Sequence, residues 1–488
     1  MSESIEPRRT KIVGTLGPAS NSLEVIEGLI RAGLDVARFN FSHGSHDDHR
    51  RTYERVRAAE ARAGRPVAVL QDLQGPKIRL GKVEGTVLLE PGTQVVLSSD
   101  NDFMGTRARL PTTYDRLSRD VKAGELIQLA DGQLEVRVDE VRGPDVICEV
   151  IVGGKLTSNK GMNMPGSELT VPSMSAKDIA DLEVGLAMGA DYVALSFVRT
   201  PHDVIALREL MQTFGRVVPI ISKIEKPQAV ERLEAIIDAS DGIMVARGDL
   251  GVELPAEQVP GVQRRAIRQA RERGKITIVA TQMLVSMTRH PRPTHAEVSD
   301  VANAVFDGTD AVMLSEETAS GEYPIRAVET MAAILRSSDH APGKAAPFEM
   351  VGEIQESYPG AIARAAMVMA RDMKARAIIS YTDWGLGPRL IGNWRPPCEI
   401  IALTSTMEAA RRMAVYWGVT PARIDQPSTL EGLILELERL GAESPLVPRG
   451  ATVVITTKMP FVPGEVTSLL KLHTVGQTQR SDFASAYS

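Results

Sequence analysis

The sequence predicts an α/β protein: a (β/α)8 barrel with an inserted all-β lid and a C-terminal α/β sandwich. Three observations carry this expectation. Eight short β-rich runs alternate with helical patterns between Lys11 and Ser315, the signature of parallel βα units. The alternation breaks once, after the third run, in a Gly-rich stretch with period-two patterning. It restarts beyond Ala341, after a segment holding Pro342, Gly343 and Pro347. The expected domains are 1–72 with 169–341 for the catalytic barrel, 73–168 for the lid and 342–488 for a regulatory domain.

In chain order, strands are expected at Lys11 to Gly17, Val36 to Ser42, Val67 to Asp72, Tyr192 to Val198, Val218 to Glu225, Gly242 to Asp249, Thr277 to Met283 and Ala311 to Ser315. Helices are expected between most of them, as at Ser22 to Ala32, His202 to Thr213 and Glu257 to Arg273, with another beginning near Ser175. Thr294-x-x-Glu297 reads as a capping box. Eight such strands close into a barrel, whose active sites sit at the strands' carboxyl ends. Inside the insertion, Leu134, Val136 and Val138 alternate with Glu135, Arg137 and Asp139 after the turn signal Asp131-Gly132. The insertion leaves the barrel at its catalytic face, which makes it a lid. The last domain is expected to hold a helix from Tyr358 to Lys374 and strands at Ala377 to Tyr381, Glu399 to Leu403 and Thr452 to Thr456. Its three tryptophans, Trp384, Trp394 and Trp417, are read as packing residues.

Composition removes several function classes. The 488 residues carry 56 Lys+Arg against 62 Asp+Glu, a balance of −6, which argues against a general nucleic-acid or membrane-surface binder. With 43% apolar and 24% charged residues, the chain is ordinary for a globular protein. Cys148 and Cys398 offer neither a disulfide framework nor a zinc set. Met1 to Thr10 is polar, without the apolar core of a secretory signal, and no run approaches a membrane span. The expectation is a soluble, cytoplasmic protein.

Chemistry gathers at the strand ends. Alternation along Val36 to Ser42 sets Arg38, Asn40 and Ser42 on one face and Ala37, Phe39 and Phe41 on the other. The polar face is either an anion site, for which Arg offers a bidentate fork, or an internal hydrogen-bond layer. Lys223 and Glu225 project together at the end of the fifth strand, a pairing that alone would read as a structural salt bridge. The sixth strand, taken to Asp249, places Arg247 and Asp249 on one face. Glu225 and Asp249 then converge from neighbouring strands, which suits Mg²⁺ because that ion often takes one or two protein carboxylates and completes its octahedron with water and substrate oxygens. Gly248 lets a ligand approach the backbone, and Thr281 is the hydroxyl expected to face inward from the seventh strand. The result is a cation-rich pocket for a small substrate bearing carboxylate and phosphate. No Ser-His-Asp pattern, GxxxxGK[ST] loop or GxGxxG fingerprint occurs. His43, His46 and His49 are read as the surface of a helix start rather than as metal ligands.

In this order the motifs resemble the pyruvate kinase family. The likeness runs through Gly14 to Ser20, Ala37 to Gly44, Asp72 to Arg79, Ile221 to Glu225, Ala246 to Gly251, Ala280 to Leu284 and Asp310 to Ser315. It implies phosphoryl transfer from phosphoenolpyruvate to ADP, giving pyruvate and ATP. On the matching positions Arg38 would bind the moving phosphate, Lys223 would stabilise it, and Glu225 and Asp249 would hold Mg²⁺, with Mn²⁺ as a substitute. The backbone at Gly248 and Asp249, with Thr281, would hold the substrate carboxylate. Asn40, His43, Arg79 and Lys160 match nucleotide-side positions, and a second Mg²⁺ would arrive with ADP. A water chain near Thr281 and Ser315 is the expected proton source. A homotetramer is implied.

Three departures stand out. Family members that need K⁺ bind it through positions matching Asn40, Ser42, Asp72 and the carbonyl of Leu73, and carry glutamate where this chain has Lys77. A lysine ammonium there replaces the missing charge, so activity without added K⁺ is expected. Glu316 stands where glycine is usual. In the loop from Thr382 to Gly387, Trp384 and Gly387 replace hydroxyl donors, which argues against activation by fructose 1,6-bisphosphate. Two other readings compete: a Mg²⁺-dependent lyase or aldolase of a pyruvate-like enolate, disfavoured by Arg79, Lys160 and the lid, and a non-catalytic metabolite sensor, disfavoured by the retained Lys223, Glu225 and Asp249.

Overall fold

A computed structural model describes residues 7–130, 132–167, 170–341, 350–443, 447–462 and 464–476. Asp131 of the expected turn, and Pro342, Gly343 and Pro347 of the expected linker, lie outside the described residues.

Alternate residues of a barrel strand face the axis or the surrounding helices, and this chain supplies apolar side chains to both. The strands are β1 (Lys11–Leu16), β2 (Val36–Asn40), β3 (Ala68–Asp72), β4 (Tyr192–Leu195), β5 (Ile220–Ile224), β6 (Gly242–Ala246), β7 (Ile276–Ala280) and β8 (Ala311–Leu314). They close as β1-β8-β7-β6-β5-β4-β3-β2, every pair parallel. Val13, Val36, Leu70, Ile221, Met244 and Met313 belong to one buried cluster. Their chain neighbours Ile12, Ala37, Val69 and Val312 pack in another with Ile26 and Leu29 of helix α1 (Leu23–Ala32). Helix starts are fixed locally. Ser45 before α2 (His46–Ala63), Ser175 before α3 (Ala176–Met188) and Thr294 before the helix His295–Asp307 all form capping boxes, and such caps contribute about 1 kcal/mol each.

Several strands stop short of their expected ends. β2 ends at Asn40, β5 at Ile224 and β7 at Ala280, while Thr281 and Gln282 turn into the left-handed region with φ of 68° and 55°. The largest correction concerns β6. It ends at Ala246, and Arg247 opens helix α4 (Arg247–Glu253). Residues two apart on a helix diverge by about 200°, so Arg247 and Asp249 do not share a strand face.

After β3 the chain enters a six-stranded and a two-stranded sheet before returning through α3 to β4. In the strand Leu134–Arg142, Leu134, Val136 and Val138 are buried while Arg137 and Asp139 are exposed. This region has its own core, and it also holds a short helix, Leu117–Asp120, that an all-β reading lacks.

The C-terminal sheet comprises β9 (Ala377–Tyr381), β10 (Glu399–Thr404), β11 (Val419–Arg423), β12 (Thr452–Lys458) and β13 (Thr467–Thr474), ordered β11-β10-β9-β12-β13 with β13 antiparallel at the edge. It is tied to the amino-terminal end of the barrel. Lys11 Nζ donates to the Val419 carbonyl at 2.6 Å, Tyr192 OH to the Arg412 carbonyl at 2.6 Å, and Arg411 pairs with Glu60 at 2.7 Å. Trp417 lies under Arg9 and Arg395, Trp394 beside Arg364, and Trp384 on the surface. The carboxyl ends of the strands are left to the inserted sheets. No helix of the described residues is long and apolar enough to cross a membrane, and both cysteines are buried and free.

Candidate active site

Apolar strands end here in charged side chains that the barrel buries, so each must find a partner. Arg38, inward from β2, donates through Nε to Asp72 Oδ2 at 2.6 Å and through Nη1 to Thr15 Oγ1 at 2.9 Å. Lys223, inward from β5, lies 2.8 Å from Glu225 Oε1 and 3.6 Å from Asp72 Oδ1, and donates to Ser196 Oγ at 2.8 Å. Asp72 therefore links the arginine to the lysine. Burial works against ionisation of Asp72, but Lys223 and Arg38 outweigh it and hold its carboxyl below the usual range. Burial also opposes the Lys223 charge, yet Asp72, Glu225 and Asp249 together hold its pKa above the ordinary lysine value.

Glu225 sits just past β5. Its Oε2 accepts from the Phe197 amide at 2.8 Å, and Phe197 takes a φ of 54° to aim that N–H. Burial, only partly offset by Lys223 and reinforced by repulsion from Asp249, pushes the Glu225 carboxyl above its usual pKa. Asp249 reaches Glu225 electrostatically from the first turn of α4, not from a neighbouring strand as expected. Arg247 turns away, to Asp300 at 2.7 Å and the Thr281 carbonyl at 2.8 Å. The Gly248 N–H donates to Thr281 Oγ1 at 2.7 Å, which binds the start of α4 to the end of β7. A cavity of about 410 Å³ opens beside them, lined by Lys77, Asn163, Phe197, Lys226, Gly248 and Asp249 among others.

The remaining sequence-derived residues are less concentrated. Asn40 Oδ1 accepts from the Ser42 amide at 3.2 Å, and the Leu73 carbonyl accepts from Ser196 Oγ at 2.7 Å. Lys77 is exposed on the cavity wall; among described residues the Asp72 carboxylate meets Arg38, Lys223 and Ser196, not Lys77. His43 precedes α2, with its carbonyl 2.9 Å from His49 Nε2; His49 stacks on Phe41 and His46 Nε2 lies 2.7 Å from Asp181. No cluster of three or more potential ligands occurs among the described residues. Arg79 and Lys160 lie in neighbouring segments of the inserted region outside its strands, where the Leu80 amide donates to the Lys160 carbonyl at 2.9 Å and Arg79 Nη1 to the Asn159 carbonyl at 3.0 Å. The sequence reading missed Ser196, the Phe197 amide and Lys226. Ser196 was accessible to it, since alternation from Ala194 places Ser196 inward.

A closed parallel barrel with ionic side chains buried at its strand ends, and a β-rich region built over them, is the layout of an enzyme acting on a charged substrate at the carboxyl ends of the strands. Comparison with known proteins narrows this. Residues 7–328 match the family model "Pyruvate kinase, barrel domain" and residues 360–473 match "Pyruvate kinase, alpha/beta domain". The chain is 44% identical over 472 residues to pyruvate kinase of Mycobacterium tuberculosis strain H37Rv, covering 96% of this chain and 99% of that one. It is 43% identical over 475 residues to pyruvate kinase of Corynebacterium glutamicum, covering 97% and 99%. A crystal structure of a pyruvate kinase from Cryptosporidium parvum superposes with a TM-score of 0.88 at 34% identity, covering 96% of both chains. The chain belongs to the pyruvate kinase family. Its reaction is transfer of the phosphoryl group of phosphoenolpyruvate to ADP, yielding pyruvate and ATP, and it depends on a divalent metal. The donor set fits such an ion: Glu225 Oε1 is buried and, among the described residues, meets only the Lys223 ammonium at 2.8 Å, while the Asp249 charge stands nearby.

Proposed function

We propose that the chain performs this reaction with Mg²⁺, replaceable by Mn²⁺, held between Glu225 and Asp249. One observation carries the proposal: Lys223, Glu225 and Asp249 interact at one end of the barrel, with Arg38 joined to them through Asp72. Bound there, the metal would supply positive charge to the phosphoryl oxygens and to the enolate. Arg38 and Lys223 take the moving phosphoryl group, whose bond to the enol oxygen breaks as a bond to the ADP β-phosphate oxygen forms. Gly248 and Asp249, with Thr281, orient the substrate carboxylate. The enolate then gains a proton at carbon through water near Thr281 and Ser315.

On the nucleotide side the roles fall to Asn40, His43, Arg79 and Lys160, with a second Mg²⁺ delivered by ADP. The inserted region, 73–168, is the lid and 342–488 the regulatory domain; the assembly is a homotetramer in the cytoplasm. K⁺ is dispensable: Lys77 brings an ammonium to the cavity wall, doing the work of the ion that Asn40, Ser42, Asp72 and Leu73 bind in relatives. Fructose 1,6-bisphosphate does not activate, because Asp383 is paired with Lys458 and Trp384 stands exposed in the loop. The test is pyruvate formation from phosphoenolpyruvate and ADP by purified protein. Full activity with Mg²⁺ and Na⁺ is expected; stimulation by K⁺ of about tenfold or more, the effect of a contact near 1.4 kcal/mol, contradicts the Lys77 assignment.

A further inference from the structure

The far end of α4 from Asp249 closes on the inserted region. Glu253, the last residue of α4, is buried, and its Oε1 accepts two hydrogen bonds. One comes from Lys226 Nζ at 2.5 Å and the other from Asn163 Nδ2 at 2.8 Å. Lys226 directly follows Glu225 and is itself buried, its ammonium 5.3 Å from the centre of the Phe197 ring. The Phe197 amide is the one that holds Glu225.

Asn163 belongs to the short strand Met162–Asn163, which pairs with Leu126–Leu129 of the six-stranded sheet. The Met162 amide donates to the Ile78 carbonyl at 3.0 Å, and Arg79 bridges Gly161. Lys160, Arg79 and Asn163 are thus parts of one hydrogen-bonded patch. A single carboxylate oxygen joins three pieces: that patch, the helix bearing Asp249, and the residue after Glu225. A buried carboxylate is costly unless paired. Lys226 offsets its charge, and the Asn163 bond becomes charge-assisted and correspondingly strong.

We propose that Asn163 and Glu253 are positioning residues for phosphoryl transfer. Their hydrogen bond latches the inserted region over the cavity and sets Arg79 and Lys160 against the ADP phosphates, while Lys226 keeps the Glu253 carboxylate aimed. The proposal rests on the nucleotide role given above to Arg79 and Lys160. Phosphoenolpyruvate is held by barrel residues, so losing the Asn163 side of the latch, which belongs to the inserted region, bears on the nucleotide, whereas losing Glu253 also disturbs α4, whose Gly248 and Asp249 meet the substrate carboxylate.

The experiment is steady-state kinetics of Asn163→Ala, Glu253→Ala, Glu253→Gln, the double variant Asn163→Ala/Glu253→Ala, and Lys160→Met, each varying ADP and phosphoenolpyruvate separately. Asn163→Ala is expected to raise KM for ADP about tenfold, the scale of one lost hydrogen bond to a charged group, with KM for phosphoenolpyruvate unchanged and the thermal midpoint lowered by only a few degrees. Glu253→Gln keeps the acceptor oxygen without its charge and recovers part of what Glu253→Ala loses in KM, whereas adding Asn163→Ala to Glu253→Ala costs nothing more. If Glu253→Ala does not fold, Asn163→Ala decides alone. An ADP KM within about twofold of wild type in Asn163→Ala, below the cost of any charged hydrogen bond, overturns the latch. With Lys160→Met raising that KM, the latch alone falls; with both silent, the nucleotide assignment falls with it.

Discussion

Asp72 and Glu225 are carboxylates that share the Lys223 ammonium, with opposite energetic roles. Asp72 lies against Arg38 and Lys223 and is held ionised. A folded-state pKa below the unfolded value contributes stability that is complete above the unfolded pKa and is lost as pH falls through the folded one. Asp72→Asn leaves two buried cations short of a partner, and a loss of about 3 kcal/mol in urea unfolding is expected. Glu225 is pushed the other way by burial and by Asp249, so Glu225→Gln is expected to cost less stability than Asp72→Asn, while divalent-metal affinity falls at least about tenfold. Lys223→Met is expected to cut kcat by about 10²–10³, the scale of one lost electrostatic donor, with KM for ADP little changed. The separate roles of the two carboxylates were hidden in the sequence. Motif and alternation brought Glu225 to Lys223, but the contact of Asp72 with Arg38 depends on the β2–β3 register, which pairs Asn40 with Asp72. The resemblance had given Asp72 only to a cation site.

Among the elements, strands β2, β5, β6 and β7 were legible and their carboxyl ends were not. Phe41 and Gly248 to Asp249 continue a sequence pattern compatible with a strand, yet local hydrogen bonds take over there: the Gly248 amide goes to Thr281 Oγ1 and the Ser42 amide to Asn40 Oδ1. Those breaks form the site, since they turn α4 toward Glu225. The approach of α4 to β7 is close. A Cβ on Gly248 would lie 3.3 Å from Thr281 Oγ1, so Gly248→Ala is expected to displace the hydroxyl and raise KM for phosphoenolpyruvate several-fold, about 1 kcal/mol, more than KM for ADP. An unchanged ratio of the two constants would detach this contact from substrate binding.

Across the whole molecule, the barrel presents opposite ends to its two neighbours. The carboxyl ends face the inserted sheets; the amino-terminal end is fastened to the C-terminal sheet by Lys11, Tyr192 and Arg411. Periodicity announced all three regions, but nothing in it places Lys11 against Val419. Burial, opposed mainly by Asp35, lowers the Lys11 pKa from 10.5 to about 8. Below pH 8 the folded state bears the full cost of the buried ammonium. From there to 10.5 it sheds the proton while the unfolded chain keeps it, so the Lys11 contribution to stability rises with pH. Unfolding free energies measured from pH 7 to 10 are expected to show this rise relative to Lys11→Met, by about 2–3 kcal/mol; parallel profiles would place the lysine in water.

The metal centre is the claim on which the catalytic account turns. Diffraction from crystals grown with Mn²⁺ and phosphoenolpyruvate, recorded at the manganese absorption edge, locates the ion directly. An anomalous peak within about 2.3 Å of carboxylate oxygens from both Glu225 and Asp249 is predicted. A peak held by only one of them, or by neither, would contradict the account.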